Sequence, residues 1–582
     1  MINKKLMLGN EAVARGAYEA GVTVAVAYPG TPSTEITEII AGYEEIYAQW
    51  GPNEKVAMEV AIGSAIAGAR TLVSMKHVGL NVAADPLFTV SYTGINGGLV
   101  IMVADDPGMH SSQNEQDSRY YAKAAHIPML EPADSQETKD YVKKAFELSE
   151  KYDTPVMVRL TTRVSHSQSI VSLEEREDIA LKEYQKDFMK NVMMPGMARL
   201  KHIVVEKRMK DIAESANTMD INTIEMKSTK IGVITSGVPY QYVKESLPEA
   251  SVLKLGIVHP LPMKLIQDFA KKVEVLYIIE ELEPIIEDEV KSWGIPCIGK
   301  DILTIQGEYS ANLISEKIGD QVLHLAAPKS LPQRPPVMCP GCPHRGIYYI
   351  LNKLKKHASG DIGCYTLGAL PPLQGMDTCV CMGASISMLH GMEKARGKEF
   401  VKDWVAVIGD STFVHSGVTG LIDIVYNKGI STVMILDNST TGMTGHQDNP
   451  STGLTLKGEE TSVLNLVELT KSVGIKRIRV VNPFNLKEVE AAVKEETAAE
   501  EPSVIIASSA CELLDKKKIR IPFHIDEAVC KKCGMCMKLG CPAIQKKNGV
   551  YQINDAICCG CTLCSSVCNF GSISRVGENH DN

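Results

Sequence analysis

Parallel α/β domains followed by a small cysteine-built module form the architecture this sequence predicts, and three observations predict it. Short apolar runs recur along roughly the first five hundred residues, each ending in a turn and followed by a helical stretch; strands alternating with helices imply parallel sheets covered on both faces. The length of 582 residues exceeds what one core can serve and points to several domains. Nine of the sixteen cysteines crowd between positions 530 and 568, so the last segment is held by ligands more than by apolar packing.

Taken in order, the first domain spans residues 1–195. The run Val22 to Tyr28 ends at Pro29-Gly30, and Thr31-Pro32 is set to start a helix, with Thr31 as its N-cap and Pro32 in its first turn. Such an N-terminus could seat a substrate carboxylate. Val56-Ala57-Met58 leads into an Ala/Gly-rich helix with Glu59 at the junction; Gly98 to Val103 and Thr154 to Leu160 are further strands. Residues from about 165 to 229 are charged, Met-rich and helical in pattern, and 196–229 are read as a helical connector. A second α/β unit, 230–328, has strands at Lys230 to Gly237 and Glu274 to Ile279, followed by acidic Glu280 to Glu287, a solvated turn or else a domain contact. It fades into the Pro-rich linker Pro328 to Pro336. A third unit, 329–515, has strands at Trp404 to Ile408, Ser431 to Leu436 and Ser503 to Ala507, and the basic hinge Lys516 to Arg520 opens the final module, 516–582.

Composition excludes several classes. Apolar content of 44% and charged content of 23% are those of ordinary globular protein. A net charge of −9 without a Lys/Arg run of useful length argues weakly against nucleic acid. No run of eighteen apolar residues could span a membrane, and the N-terminus lacks a signal peptide's apolar core, so a cytoplasmic location is expected. Sixteen cysteines in such a chain point to metal or redox chemistry rather than disulfides.

The two cysteine blocks are Cys530, Cys533, Cys536 and Cys541, followed by Pro542, and then Cys558, Cys561, Cys564 and Cys568. Three thiolates at i, i+3 and i+6 can wrap three corners of a cuboidal iron–sulfur cluster, the fourth ligand crossing over from the other block as in two-cluster ferredoxins. One cluster is then expected on Cys530, Cys533, Cys536 and Cys568, and another on Cys541, Cys558, Cys561 and Cys564. Paired zinc sites are the alternative. Four residues precede Cys541 where the usual motif has three, so a bulge is expected there; Cys559 reads as a spare thiol.

The third unit carries Gly409-Asp410-Ser411 directly after one strand and Asp437-Asn438-Ser439-Thr440 directly after the next. Both turns therefore fall at the carboxyl ends of neighbouring strands, where α/β sheets bind ligands. Gly409 allows close backbone approach to a phosphate, and a carboxylate, an amide oxygen and a carbonyl are hard donors suited to Mg²⁺. The pair of turns resembles the thiamine-diphosphate motif, with Ser411 and Asp437 departing from it. Carried over by position, Asp410 and Asn438 supply side-chain ligands and Thr440 its carbonyl. That cofactor needs a carboxylic acid beside its aminopyrimidine, and Glu59 is the candidate; a helix-start Glu favoured by the macrodipole is the competing reading.

These motifs, with Tyr28-Pro-Gly-Thr-Pro-Ser-Thr-Glu35, the Ala57 to Ala69 helix, Ser111 to Asp117 and Met338-Cys-Pro-Gly-Cys-Pro-His344, resemble the 2-oxoacid:ferredoxin oxidoreductases along essentially the whole chain, and within them the large-subunit branch that acts on indolepyruvate. The resemblance implies a pyrimidine-binding domain at 1–195, a transketolase-C-terminal-like domain at 230–328, a diphosphate-binding domain at 329–515 and a two-cluster ferredoxin at 516–582. It implies oxidative decarboxylation of an aryl 2-oxoacid with coenzyme A, giving an aryl-acetyl-CoA, CO2 and reduced ferredoxin. A separate smaller β (γ-type) subunit, an α2β2 assembly and an external ferredoxin are implied partners. A third, proximal cluster is implied on Cys339, Cys342, Cys364 and Cys511, with Cys379 or Cys381 as substitutes; Cys297 reads as structural. His344, His77 and His110 are pocket candidates, and Thr31 a substrate contact. Pyruvate- or branched-chain-selective activity, or an electron-transfer subunit with a vestigial cofactor fold, are the alternatives.

Overall fold

The computed structural model describes residues 3–319, 331–332, 335–514 and 520–577. It separates into two compact units, residues 1–329 and 330–582. Most of the hinge expected at Lys516 to Arg520 and part of the linker at Pro328 to Pro336 lie outside the described residues.

In the first unit a seven-stranded sheet runs in the order Ile257–His259, Met129–Leu130, Val156–Thr161, Leu99–Asp105, Thr71–Lys76, Val24–Ala27, Tyr47–Trp50. All pairs are parallel except the first, where Ile257–His259 enters antiparallel from the following domain. The three central strands are buried at every residue, as helices on both faces require. A second sheet orders Val275–Ile279, Ser228–Ser236, Ala250–Leu255 and Thr223–Glu225, the last antiparallel. The stretch from 165 to 187, expected to be helical, instead gives a strand, Gln168–Ser172, paired with Lys4–Leu8, and then irregular chain; the long helix is Pro195–Ala216, started by Pro at its first turn.

Two local starts also differ from expectation. Asn53 caps a helix, its side chain accepting from Val56 N at 2.9 Å, so Glu54–Ile66 is one helix with Glu59 inside it rather than at a junction. The helix after Tyr28 begins at Thr34, with Ser33 at its N-cap, and ends at Ile40; Thr31-Pro32 is a cis turn before it, so Thr31 is not the N-cap.

The acidic stretch from Glu280 is a buried domain contact, not a solvated turn: Glu280 and Glu281 are 1% and 4% exposed. Arg119 joins Asp117 at 2.6 Å, pairs with Glu280, and donates to the carbonyls of Glu281 and Glu283, both at 3.0 Å. Arg159 bonds Asp105 at 2.6 Å and pairs with Glu131. Arg119 thus clamps the two domains of this unit, while Arg159 braces the first from within; both fully buried guanidiniums are matched by carboxylates because an unpaired buried charge would be costly.

In the second unit a six-stranded parallel sheet is ordered Thr378–Cys379, His357–Gly360, Trp404–Gly409, Thr432–Asp437, Ser503–Ser508, Arg477–Val481. The terminal segment adds two antiparallel pairs, Phe523–Ile525 with Ile573–Arg575 and Ile544–Lys547 with Val550–Ile553. Its apolar residues Phe523, Leu539, Ile544, Leu563 and Ile573 share one core with Ile347, Tyr348 and Leu351 of the α/β part.

Candidate active site and cysteine centres

At the carboxyl edge of the first unit's sheet, chain turns meet around Lys76 and Asp106. Lys76 Nζ donates to Ser111 O at 2.7 Å, while Ser111 N and Ser112 Oγ donate to Asp106 Oδ2 at 2.9 and 2.6 Å and Thr162 Oγ1 to Oδ1 at 2.6 Å. Ser111 Oγ reaches Thr31 O at 3.2 Å, and a Cβ on Gly30 would lie 3.2 Å from Lys76 Cβ. Burial pulls the Lys76 ammonium down to about 8 against the opposing pull of Asp106 and Glu54. Lys76 was not singled out from sequence; a lysine ending an unrecognised strand carries no local signal. His77 beside it is buried, and its pKa is lowered by that burial. His110 is half-exposed and lies 3.1 Å from Glu308. Glu59 points from its helix with 46% of its side chain exposed, paired with Lys55.

In the second unit the two motif turns sit side by side, Gly409 opposite Leu436 in the register. Asp410 is 1% exposed with Oδ2 unpartnered, and burial first, then Asp437, pushes its carboxyl up to about 7. The Asn438 amide corner lies 3.0 Å from Asp410 Oδ1 and 2.9 Å from Thr440 O. A nitrogen at that corner would satisfy both as a donor. An oxygen there makes three oxygens with two edges near the cis edge of an octahedron at Mg–O ~2.1 Å, about 3.0 Å. In either arrangement the buried Asp410 Oδ2 is left without a partner, a hard oxygen close to the Thr440 carbonyl and the Asn438 amide, and this donor set fits a small divalent cation. Ser411 Oγ accepts from Thr441 Oγ1 at 2.9 Å. Gly409 is demanded by packing: a Cβ there would meet the Tyr365 ring at 2.7 Å. His344, at the start of His344–Lys353, is buried and packs edge-on against that same ring, 5.8 Å between centroids; burial pulls it down to about 4. Asp361, absent from the sequence reading, accepts from Ile362 N, Gly383 N and Ser385 N at 2.9, 2.8 and 3.0 Å and so fixes the loop that opens the helix Ala384–Arg396.

Cysteines distant in sequence form three groups. Cys530, Cys533, Cys536 and Cys568 line one pocket. Cys541, Cys558, Cys561 and Cys564 line another, together with Cys559. Both loops repeat the same left-handed positions: Lys532 at φ +54° and Gly534 at +74° correspond to Gly560 at +69° and Thr562 at +74°. Alternating right- and left-handed residues turn successive N–H groups inward, a nest for an anionic centre. The extra residue before Cys541 is accommodated by Gly540 at φ +64°. The third group is Cys339, Cys342, Cys364 and Cys511. Burial raises the thiol pKa of Cys342 to about 12, with Cys339 and Cys364 adding to the rise, and that of Cys364 to about 11, with Cys511 and Cys339 adding; Cys511, also raised first by burial, feels Cys339. Cys511 N also donates to Asn438 O at 2.9 Å, tying this group to the motif turn. Cys379 and Cys381 lie beside Asp361 instead, and Cys297 packs at the edge of the first unit's core.

Among the described residues no three thiols fall within 4.8 Å of one another. Tetrahedral zinc at Zn–S ~2.3 Å would bring them to about 3.8 Å.

Two family models match: "Pyruvate flavodoxin/ferredoxin oxidoreductase, thiamine diP-bdg" over residues 15–230 and "Thiamine pyrophosphate enzyme, C-terminal TPP binding domain" over 361–507. The indolepyruvate oxidoreductase subunit IorA of Archaeoglobus fulgidus is 38% identical over 99% of this chain and 98% of its own. That of Pyrococcus abyssi is 40% identical over 98% and 97%, and that of Methanothermobacter marburgensis 37% over 99% and 98%.

Proposed function

The chain belongs to the indolepyruvate oxidoreductase subunit IorA family, and from that premise we propose that it oxidises aryl 2-oxoacids, passing the electrons through three iron–sulfur centres to an external ferredoxin and the acyl group to coenzyme A. Thiamine-diphosphate-dependent 2-oxoacid oxidation follows from the family. The observation that carries the reading is the meeting of the Asp410 carboxylate, its Oδ2 buried and unpartnered, with the Asn438 amide and the Thr440 carbonyl at the ends of two adjacent strands.

Thiamine diphosphate, when bound, supplies the electron sink for decarboxylation. Asp410, Asn438 and the Thr440 carbonyl would hold its Mg²⁺, with Ser411 beside the phosphates and Gly409 and His344 shaping the wall through Tyr365. Glu59 would exchange a proton with the aminopyrimidine; its half-exposed position leaves it free to meet a ligand. Lys76 is the cation best placed near Thr31 for a substrate carboxylate, and burial in that pocket excludes water. The terminal segment acts as a two-cluster ferredoxin module: Cys530, Cys533, Cys536 and Cys568 hold one [4Fe–4S] centre, Cys541, Cys558, Cys561 and Cys564 another, and Cys339, Cys342, Cys364 and Cys511 a proximal third. A smaller β subunit completes an α2β2 enzyme.

Comparing turnover of indolepyruvate, phenylpyruvate and pyruvate by the complex, with ferredoxin as acceptor, tests the substrate class. A kcat/KM for either aryl substrate at least tenfold above pyruvate is expected. Equal or better use of pyruvate would remove the aryl reading.

A further inference from the structure

Arg119, Arg159 and Arg345 are the three arginines among the largest fully buried side chains. The first two are matched by carboxylates. Arg345 is not: its partners among the described residues are backbone carbonyls, Leu539 at 2.6 Å, Met338 at 2.7 Å and Cys339 at 3.0 Å, and its Nε–H is buried with no acceptor. A guanidinium taken out of water needs an anion, or the desolvation is uncompensated. Arg345 lines the cavity shared by Cys541, Cys558, Cys561 and Cys564. Its carbonyl partners belong to the two cysteine loops on either side, Met338-Cys339 and Leu539-Gly540-Cys541. The first of these loops also touches the block that begins at Cys558: Gly341 stands at φ +71°, and a Cβ there would lie 2.3 Å from Cys559 Sγ.

We propose that Arg345 is a positioning residue at an electron-transfer junction, pinning the proximal cysteine loop to the terminal one and serving as counter-ion and Nε–H donor to the centre on Cys541, Cys558, Cys561 and Cys564. This rests on the iron–sulfur reading of the preceding section. Each transfer adds one electron to that centre from substrate oxidation and removes one toward the outer centre, so the reduced form carries one more negative charge than the oxidised. A fixed cation in a dry site stabilises the reduced form more and raises the reduction potential. Lysine would keep the charge but lose the planar fork that holds both loops at once.

The test uses the complete complex, purified without air, as wild type, Arg345→Gln and Arg345→Lys, with iron and sulfide assayed first and the centres then titrated against potential by electron paramagnetic resonance. For Arg345→Gln, one centre's reduced-to-oxidised ratio at fixed potential should fall at least tenfold, about 59 mV for a one-electron couple. The other centres should stay where they were, and Arg345→Lys should fall between wild type and Gln. Unshifted titrations in both variants at full iron content would overturn the proposal, as would loss of iron from both, which would mean a purely structural role. Should only Gln lose iron, a threefold or larger fall in Lys upholds it and no change overturns it. A wild type without iron or sulfide would fail the cluster reading itself, a distinguishable result.

Discussion

Glu59 pairs with Lys55 on an exposed helix face. Replacement by Gln removes the proton it can exchange while keeping its size, so 2-oxoacid-dependent ferredoxin reduction should fall by about 10²–10⁴ with thiamine and iron content unchanged. Activity above a tenth of wild type would assign the proton to another group. Glu59 could be named a candidate because it stands at the head of an Ala/Gly-rich run; Lys76 could not, because its meaning depends on Asp106 and Ser111, thirty and more residues away. Asp361 was hidden for the same reason: its work is to accept three backbone N–H groups, two of them from beyond position 380.

Elements were legible where local chemistry and burial agree. Leu99–Asp105 and Thr432–Asp437 are mostly apolar and read directly as strands. Thr71–Lys76 lies equally deep yet carries Thr71, Ser74 and Lys76; Thr71 Oγ1 donates to Ser64 Oγ, and Ser74 pairs with Thr37, both at 2.9 Å, partners that adjacent sequence does not reveal. The turn after Trp404–Gly409 shows a glycine with a reason the sequence did not reveal: beyond the phosphate approach expected there, the Tyr365 ring fills the space a Cβ would need. Gly409→Ala would push that ring or the motif turn aside, so thiamine diphosphate should bind at least tenfold more weakly, a loss of ~1.4 kcal/mol. Calorimetric titration in Mg²⁺ with unchanged circular dichroism would check it, and wild-type affinity would contradict it.

Across the whole first unit the buried clamp carries a pH signature. Burial pushes Glu281 up to about 7 from an ordinary value of 4.5. Between those values the unfolded chain gives up a proton that the folded chain keeps, so this group opposes folding increasingly as pH rises through that window and fully above it. Gln can still accept from Tyr309 N, at 2.8 Å from Glu281 Oε1. Glu281→Gln should therefore raise urea-unfolding stability at pH 8 by roughly 2–3 kcal/mol, with little change near pH 4. Equal effects at both pH values would show that the carboxyl does not titrate as burial demands. For the molecule entire, the central claim is that 2-oxoacid chemistry feeds iron–sulfur centres of the same chain, and the absorbance of those centres reads it directly. Mixed anaerobically with indolepyruvate and coenzyme A but no ferredoxin, the thiamine-loaded complex should bleach near 400 nm, and the Glu59→Gln complex should bleach at least a hundredfold more slowly. A complex that holds both thiamine and iron yet keeps its colour with every 2-oxoacid offered would contradict the account.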